Sequence, residues 1–566
     1  MNKFYLLVLL IVFSNCKRNK TIESSANASF IDFTLFEDTK VKIDSTVVNS
    51  NPSEAFKAFY KKYNYETVWN KKEDREFIIN TFESADEEGL QPSDYNYGKL
   101  KSLEDKYDNL PDSLLIKYDF LLTENSQLYI KQISSGKLNP NELYKDWDLT
   151  DKKIDINKTL LDGIDNNNFK NAFEEIKPKH EVYKQLKNCL KILKSMPDEF
   201  AGVIDIKEKI IPNKKNSFVP IVKKQLMYWG DLKEKDTVLS TMYDKQTQQA
   251  VKVFQARHGL NPDAIIGKST IEALNFSRNQ RIEQIIVNME RWRWFAQDFG
   301  NHYLLVNIPD YTVVAIKDMD TMQMQRIVVG KDSRKTPILE SKISNINLNP
   351  NWTVPPTILK EDIFPQAEKD KSTFRKKGLV IMNYKNQEIN PYSWTKADAN
   401  KYKYVQKPSR NNSLGLMKIN FPNNHSVYLH DTNHRDYFSF TFRSLSSGCI
   451  RLEKPLEMAA HILNDTTKWS LKRIQDTTDI KHYYKIQREK QLVIDKKNAK
   501  ILAKNPTIVI EKKVMPKPEL KTIVIKVSED IYIHQLYWTA WENKGILQFR
   551  EDIYCLDSDL YSKLRY

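Results

Sequence analysis

The pattern of hydrophobic and polar positions divides the chain into blocks. Residues 17 to about 50 are mostly polar, rich in Lys, Asn, Ser and Thr, and predict a tether. From about residue 51 to residue 210 the apolar positions follow helical spacing, most clearly over residues 119–130. Glycine–proline turn signals at residues 89–92 and 136–140 punctuate this block. It predicts a helical domain without a catalytic cluster.

Three short amphipathic helices are predicted between residues 217 and 277. One covers residues 219–229, a second opens at Asp244, and a third covers residues 270–274. The block resembles the three-helix peptidoglycan-binding module, whose signature is matched by Asp244, Thr247, Ala250, Val251, Phe254, Gln255, Gly259, Leu260, Gly267, Thr270 and Leu274. Ala264 departs from it, since the family has glycine there. The resemblance implies a wall-binding module, and a spacer that binds nothing remains the alternative.

Strand periodicity replaces helical periodicity in residues 281–566. After an aromatic, basic linking helix over residues 285–295, apolar residues alternate with polar ones. The predicted strands cover residues 303–308, 312–316, 326–329, 521–527, 532–540 and 546–550, with a hairpin turn at 542–545. This pattern predicts a β-rich domain whose last strands come from the carboxyl end. The predicted fold class is therefore multidomain α+β.

Composition narrows the class of protein. The 566 residues carry 88 Lys plus Arg against 73 Asp plus Glu, a net charge of +15, and only four cysteines. Hydrophobic residues make up 40%, enough for real cores, so wholesale disorder is excluded. So few cysteines exclude a disulfide-stapled scaffold. The basic excess fits an anionic surface, and a diffuse compositional bias explains it equally well.

The amino terminus predicts export. Residues 4–13 are an unbroken apolar run, too short to span a bilayer but typical of a signal sequence. Cys16 follows it closely, which resembles a bacterial lipoprotein signal and implies a lipidated Cys16 and a membrane anchor. Residues 1–16 form this signal, and an ordinary signal peptide is the alternative. An exported chain makes nucleic acid an improbable partner and indicates the cell envelope or periplasm.

Three other residues are interpreted as structural rather than catalytic or ligand-binding. Cys189 lies among leucines and isoleucines at helical spacing and predicts a buried thiol. Cys555 is likewise interpreted as a buried thiol near the last strands. His258 is interpreted as a turn or surface residue rather than a ligand.

The candidate chemistry concentrates in residues 428–451. His430 and Cys449 form a cysteine–histidine arrangement in which a base takes the thiol proton and returns it to a leaving amine. The main chain at Gly448 can approach a substrate carbonyl and form an oxyanion hole. Arg451 adds positive charge that favours a thiolate or pairs with a carboxylate. Small residues before the cysteine, Ser446 and Ser447, leave room for a substrate.

This segment resembles the L,D-transpeptidases with a YkuD-type catalytic domain. Their motif, His-x-Thr followed after a spacer by Ser-x-Gly-Cys-(Ile/Val)-Arg, is matched by His430, Thr432, Ser446, Gly448, Cys449 and Arg451. The Ser-Ser-Gly-Cys form, with further matches at residues 307–309, 330–337, 349–356 and 412–415, is similar to the large multidomain YcbB-like subgroup. Ser409 departs from the family's Pro-Gly. The helical block then corresponds to the subgroup's scaffold domain.

The resemblance implies a mechanism and a substrate. Cys449 attacks the carbonyl of the third residue of a peptidoglycan tetrapeptide stem, D-Ala leaves with a proton from His430, and a neighbouring stem's amine resolves the thioester. The product is a 3→3 crosslink. The main-chain carbonyl of Asp431 orients His430. A carbapenem is the expected covalent inhibitor, and no cofactor is expected.

Two aromatic residues and one segment are assigned around this site. Tyr428 and Trp352 are candidate pocket walls in contact with the substrate, with core aromatics as the alternative. Residues 357–410, Lys-rich and aromatic, correspond to a mobile cap in the relatives. They predict a lid over the stem within a catalytic domain of residues 281–566, and a solvated loop is the alternative.

A metal site is a competing interpretation of the histidines. Imidazoles of His425, His430 and His434 together with Cys449 could in principle bind zinc. The asparagines beside them indicate loops rather than the fixed, closed spacing of a zinc site, so no metal is expected.

Three further alternatives concern the reaction. A serine nucleophile at Ser444, Ser446 or Ser447 lacks the Gly-x-Ser-x-Gly turn that exposes such a residue. Hydrolysis of the same acyl-enzyme would make a carboxypeptidase or crosslink-cleaving enzyme, which the sequence does not separate from transfer. A wall-binding lipoprotein with a vestigial site is disfavoured by the intact motif.

Overall fold

The computed structural model describes residues 40–150, 152–198, 202–233, 239–505 and 517–565. The predicted signal and Cys16 lie outside these residues. The amino-terminal block is helical, as predicted. Its helices α1–α9 are Ser45–Asn49, Glu54–Lys62, Lys72–Glu83, Tyr97–Glu104, Asp112–Ser135, Pro140–Leu143, Ile156–Asn166, Phe169–Glu175 and Glu181–Ser195.

Helix α5 is the centre of this block and contains the predicted buried helix. Its Asp119 is buried and accepts hydrogen bonds from the Tyr60 hydroxyl at 2.5 Å and from the main-chain amides of Val68 and Trp69 at 2.7 and 2.9 Å. Such a carboxylate fixes the loop of residues 67–70 against the helix, because a buried acceptor left unpaired is costly. In α9, Cys189 is buried, which confirms that prediction.

The small central module folds around its own apolar core. Its helices α10–α12 are Val219–Tyr228, Lys245–Arg257 and Lys268–Leu274. Asp244 caps α11, accepting from the Thr247 amide at 2.8 Å, so the first motif positions act as a helix start. Ala264 adopts a positive φ of 63°, which explains why glycine suits that turn.

The prediction of His258 as a turn or surface residue is confirmed for the turn, but the residue does not lie at the surface. His258 ends α11, but its ring is buried, with ring centroids 3.9 Å from Phe254 and 5.5 Å from Phe549. Phe549 comes from the far end of the chain, so the ring is covered at the contact between the module and the carboxyl-terminal hairpin. Sequence spacing alone gives no sign of that contact.

Helix α13, Arg278–Trp294, joins the blocks and confirms the predicted linking helix with an earlier start. A capping box of Ser277 and Gln280 begins it. Two of its arginines are fully buried: Arg291 pairs with Asp557 at 2.6 Å, and Arg293 pairs with Glu290 at 2.9 Å. Helix α13 therefore packs through charged as well as apolar side chains.

A large mixed sheet forms the carboxyl-terminal domain. In chain order its strands and those of the smaller sheets, β1–β18, are Trp147–Asp148, His302–Asn307, Thr312–Lys317, Asp320–Gly330, Ile338–Lys342, Asn345–Leu348, Trp352–Thr353, Leu379–Met382, Glu388–Ile389, Lys403–Gln406, Met417–Asn420, Leu429–His430, Ser444–Ser446, Ile450–Leu452, Ile523–Lys526, Tyr532–Leu536, Ala540–Asn543 and Ile546–Phe549. The spatial order of the large sheet is β1-β5-β16-β2-β3-β4-β14-β12-β11-β6-β15, with β13 beside β4. The predicted multidomain α+β class is confirmed.

The carboxyl end of the chain has the predicted strands and hairpin turn, and the run predicted over residues 532–540 is divided between β16 and the start of β17. Strand β16 enters the large sheet between β5 and β2, but β17 and β18 form a separate hairpin. The remaining helices α14–α20 are Pro356–Ile358, Phe364–Lys369, Thr373–Lys376, Pro455–Leu463, Leu471–Thr478, Ile480–Lys504 and Asp557–Arg565. Cys555 precedes α20 and is exposed with a positive φ of 54°, so its prediction as a buried thiol is wrong.

A small domain of its own stands in the segment predicted as a lid. Strands β7, β10, β8 and β9 form a separate four-stranded sheet. They enclose a core of Val354, Ile363, Ala367, Phe374, Leu379, Ile381, Trp394, Ala399 and Tyr404. We call residues 352–406 the cap domain. Within the described ranges, no helix is long and apolar enough to cross a bilayer.

Candidate active site

Three neighbouring strands of the large sheet bring the motif residues together. Strand β12 pairs in parallel with β14, which places His430 opposite Arg451. Strand β12 also pairs antiparallel with β11, which places Lys418 opposite His430. Residues in register on adjacent strands point to the same face. The face therefore carries a row of Lys418, His430 and Arg451, and Cys449 lies at the entry to β14.

Cys449 is half-buried, packs against the main apolar core and interacts with a few polar groups. Burial raises the pKa of its thiol, because a thiolate there loses hydration. The main-chain amide and hydroxyl of Tyr428, then the charges of Lys418 and Arg451, shift this pKa in the opposite direction. The resting group is thus a thiol that needs a base, in a setting that favours the thiolate once the proton leaves.

His430, the predicted base, lies on β12 beside the strand that follows Cys449. Its ring centroid lies 5.5 Å from that of Tyr428, two residues earlier on the strand. Burial first, and then the neighbouring charges of Arg451 and Lys418, lower the pKa of His430 to about 3, although the main chain of Asp431 acts the other way. The imidazole is therefore neutral at neutral pH. Nδ1 has no hydrogen-bond partner of standard geometry among the described residues.

The side chain of Asp431 faces away from the imidazole. Its carboxylate accepts from the main-chain amide of Leu416 at 2.9 Å and from Arg435 at 2.8 Å. Gly415 packs against it so closely that an added Cβ would lie 2.3 Å from a carboxylate oxygen. The carboxylate thus fixes the strand end, and only the main chain of Asp431 interacts with the ring of His430.

The loop before Cys449 is held by hydroxyl groups. Ser446 donates to the main-chain carbonyl of Cys449 at 2.6 Å and accepts from the amide of Gly448 at 3.2 Å. Thr336 donates to the carbonyl of Gly448 at 2.8 Å. Gly448 has a φ of 107°, a conformation that favours glycine. The hydroxyl of Ser446 therefore stabilises the turn, and the amide of Gly448 already donates a hydrogen bond within it.

Two residues outside the motif support that loop. Tyr554, from the carboxyl end, donates to the carbonyl of Gly330 at 2.7 Å and accepts from the amide of Thr336 at 3.0 Å. Thr336 in turn accepts from the amide of Gly330 at 2.8 Å. The late segment thus reaches the loop beneath Gly448, a link that no local sequence signal reveals.

Arg451 and Lys418 bring two cations to the site, and neither has a carboxylate partner among the residues that the structure describes. The guanidinium carbon of Arg451 lies 5.5 Å from the ring of Tyr437, and its Nε and Nη1 make no hydrogen bond within the described ranges. Burial lowers the pKa of Arg451. The ammonium of Lys418 lies 3.8 Å from the ring centroid of Tyr428. The sequence reasoning missed Lys418, which stands outside the motif.

An aromatic pair, Trp352 and Tyr428, links the cap domain to Cys449. Trp352, the half-buried first residue of β7, packs against the cap core and interacts through its indole with the hydroxyl of Tyr428. The same hydroxyl interacts with Cys449. The two residues predicted as pocket walls therefore lie beside the thiol and join the cap domain to it.

An ionic contact links the cap domain to the loop before Cys449. Arg334 bonds to Asp362 of the cap at 2.6 Å and to the hydroxyl of Ser447 at 2.9 Å, and it also pairs with Glu361. The side chain of Arg334 is only 11% exposed. Ser447 is thus the exposed contact of the loop with this arginine rather than a buried part of the turn.

The histidines of the zinc interpretation do not gather in one cluster. His434 is exposed and stacks on Tyr437 with centroids 4.9 Å apart, whereas His430 is buried in the sheet. Within the ranges that the structure covers, no group of three or more His, Cys, Asp or Glu residues is placed to hold a metal ion.

Known families match three segments of the chain. Residues 54–190 match a scaffold domain, residues 215–274 match a family described as "Putative peptidoglycan binding domain", and residues 301–469 match the L,D-transpeptidase catalytic domain of the YkuD family. The predicted resemblance to multidomain YkuD-type L,D-transpeptidases is confirmed. The order of the segments along the chain is that of the predicted blocks.

One relative and two solved structures are similar to parts of this chain. A Haemophilus influenzae protein named "Putative L,D-transpeptidase" is 31% identical over 246 residues, 42% of this chain. The chain spans about half (49%) of that relative's length. The solved L,D-transpeptidase of Xylanimonas cellulosilytica is 13% identical, covering 46% of this chain and 94% of its own, with a TM-score of 0.16. That of Stackebrandtia nassauensis is 14% identical, covering 44% and 87%, with a TM-score of 0.19.

Proposed function

We propose that this protein is an L,D-transpeptidase that forms 3→3 peptidoglycan crosslinks through a thioester on Cys449. The observation that carries the proposal is the meeting of a half-exposed thiol, a neutral imidazole and two cations in the segment that matches the catalytic domain. A neutral imidazole is able to take the thiol proton, and the cations favour the resulting anion.

The chemistry balances with these groups alone. His430 takes the proton of Cys449 as the sulfur bonds to the carbonyl carbon of the third stem residue. The bond to the D-Ala nitrogen breaks, and His430 returns the proton to that leaving amine. The amine of a neighbouring stem then attacks the thioester and passes its proton through His430 to the sulfur. One peptide bond is broken and one is formed, so no cofactor is required.

The donor of the oxyanion hole is assigned to the nucleophile's own loop. Since the amide of Gly448 donates to Ser446, that bond opens as the oxyanion forms or the amide of Cys449 takes the role. Arg451 and Tyr428 line the substrate side, and Trp352 covers it from the cap domain.

We place the protein in the cell envelope, outside the cytoplasm, and propose a role for each of its domains. The proposed units are a signal at 1–16, a tether predicted at 17–50 that ends before helix α1 at Ser45, the helical scaffold predicted at 51–210, the wall-binding module at 217–277 and the catalytic domain at 281–566 with its lid at 357–410. Lipidation of Cys16 would tether the enzyme to the membrane. Peptidoglycan is the proposed partner.

Product analysis of the purified full chain with tetrapeptide-bearing muropeptides tests the proposal. We expect 3→3 crosslinked dimers and free D-Ala, and their loss in Cys449→Ala. Free tripeptide without dimers would establish hydrolysis instead. Binding without any product would establish a wall-binding protein. A carbapenem should add one covalent mass on Cys449, and a folded protein without an adduct would contradict the nucleophile.

A further inference from the structure

Lys418 occupies a place in the site that the motif does not account for. It lies on β11 directly across from His430, which in turn lies across from Arg451 on β14. The three side chains form one row over adjacent strands, on the face that meets Cys449. A lysine and an arginine thus flank the imidazole on its two sides.

The surroundings of Lys418 offer it one anion. It is half-buried, its ammonium is 3.8 Å from the ring centroid of Tyr428, and within the described ranges it has no ion pair with a carboxylate. Burial lowers the pKa of Lys418, and the charge of Cys449 raises it. A cation without an acid partner in such a place is costly unless an anion forms beside it. The thiolate of Cys449 is that anion.

His430 is poorly suited to stabilise the thiolate with a positive charge. A thiolate is often balanced by an imidazolium, but His430 is buried between two cationic side chains that oppose its protonation. The other groups facing the imidazole are the ring of Tyr428 and the main chain of Asp431. A third positive charge, on the imidazole itself, would be repelled from both sides, so the imidazole stays neutral at rest.

We infer that Lys418, together with Arg451, supplies the positive charge that stabilises the Cys449 thiolate, and that Lys418 also keeps His430 neutral and ready to accept the proton. The positive charge of Lys418 influences the protonation of both groups, and Lys418 itself neither donates nor accepts a proton in the reaction. The imidazolium that forms during attack is short-lived, because the flanking cations favour release of its proton to the leaving amine. The inference rests on the proposed function only in taking Cys449 as the nucleophile.

Alkylation of Cys449 by iodoacetamide tests the inference without any cell-wall substrate. The rate would be followed against pH in the full chain by site-resolved peptide mass spectrometry, so that Cys555 is counted separately. We expect Lys418→Met to move the Cys449 profile to higher pH by about one unit, roughly a tenfold slower reaction on its rising limb. Lys418→Arg should keep the profile of the unaltered chain.

The matched control is Lys62→Met in the helical block. Lys62 also lies near a tyrosine ring, 5.7 Å from that of Tyr63, so it tests the loss of such a contact away from the thiol. It should leave the Cys449 profile unchanged. Thermal unfolding would establish that each variant is folded, and Lys418→Gln carries the same expectation should the methionine variant not fold.

Two outcomes would overturn the inference. An unshifted alkylation profile in folded Lys418→Met would show that the lysine does not act on the thiol, even if crosslinking were lost. An equal shift in Lys418→Arg would assign the effect to packing rather than charge. Failure of the proposed function would give a different result. Either Cys449→Ala would still form crosslinks, or neither the unaltered chain nor any variant would form crosslinks, whatever the alkylation profile.

Discussion

The guanidinium of Arg334 lies 2.9 Å from the hydroxyl of Ser447, two residues before the nucleophile, while it also holds Asp362 on the cap domain at 2.6 Å. One side chain thus spans the loop that shapes the active site and the domain that covers it. Its partners are partly exposed, which makes the contact weak enough to open.

Loss of this contact should loosen the cap without unfolding the catalytic domain. For Arg334→Ala we expect KM for the donor stem to rise roughly five- to tenfold, since about 1 kcal/mol corresponds to a factor of about five. Hydrogen exchange should accelerate over residues 356–369. The measurements are steady-state crosslinking kinetics and exchange mass spectrometry.

Arg326→Ala is the matched control for the cap contact. Arg326 makes a surface ion pair with Glu453 on the same sheet and is half exposed. It should leave KM and the exchange of the cap unchanged. Equal effects of the two substitutions would show that the Arg334 contact has no special part in closure.

Gly415 should tolerate no side chain, because two costs coincide there. Its φ of 59° disfavours alanine by ~1–2 kcal/mol, and a Cβ would collide with the carboxylate of Asp431. We expect Gly415→Ala to reduce the free energy of unfolding in urea by more than ~2 kcal/mol and to lower crosslinking. Gly378 has a φ of 62° and open space around it, so Gly378→Ala isolates the backbone cost. Similar losses in the two variants would argue against the collision.

The pH dependence of Cys449 should lack the usual signature of histidine. Since the pKa of His430 is lowered to about 3 and that of the thiol is raised, alkylation should rise only in the alkaline range. No inflection should occur near pH 6.5, the ordinary value for histidine. An inflection between pH 6 and 7 that Cys449 shows and a free cysteine peptide does not would contradict a neutral resting imidazole.

The same lowered pKa predicts acid sensitivity of folding. Between about pH 6.5 and pH 3 the unfolded chain binds a proton at His430 that the folded chain does not, so stability falls as pH decreases through that range. His430→Gln should flatten this part of the stability curve, measured by urea unfolding at several pH values. An unchanged slope would show that His430 titrates alike in both states.

Buried arginines of the linking helix should carry much of its attachment. Arg293 is fully buried and pairs with Glu290. Because Glu290 is buried as well, neither water nor a salt ion can take the place of the Arg293 charge. Arg293→Leu leaves that carboxylate buried and unpaired, and we expect a loss of about 3–5 kcal/mol in urea unfolding. Lys268→Ala breaks an exposed pair with Glu272 and should cost less than about 1 kcal/mol. A small loss for Arg293→Leu would mean that water reaches Glu290.

The features that can be predicted from the sequence are those that local spacing or a short motif encodes. The helical block, the three-helix module and the pair of Cys449 and His430 belong to this class, because periodicity and a short motif encode them. Lys418 does not, since its role depends on the register of β11 against β12 rather than on any spacing. Thr336 and Tyr554 reach the nucleophile's loop only after distant segments fold together.

The two differences in exposure share one physical cause. The sequence neighbours of His258 and Cys555 do not determine their exposure, because burial depends on which distant element covers each residue. The hairpin of β17 and β18 has the alternation of a strand, and that alternation does not indicate which sheet the strand joins. Period-two spacing predicts a strand and leaves its partner unspecified.

Strand β1 gives the sheet a border that belongs to another part of the chain. Trp147 and Asp148 follow the helices of the amino-terminal block, yet they pair in parallel with Ile338 and Leu339 of β5. A shortened protein that began at the linking helix would leave β5 as an open edge, and open edges promote association between molecules. Isolating the catalytic portion for inhibitor screening therefore calls for the peptide around residue 147 to be retained or supplied in trans.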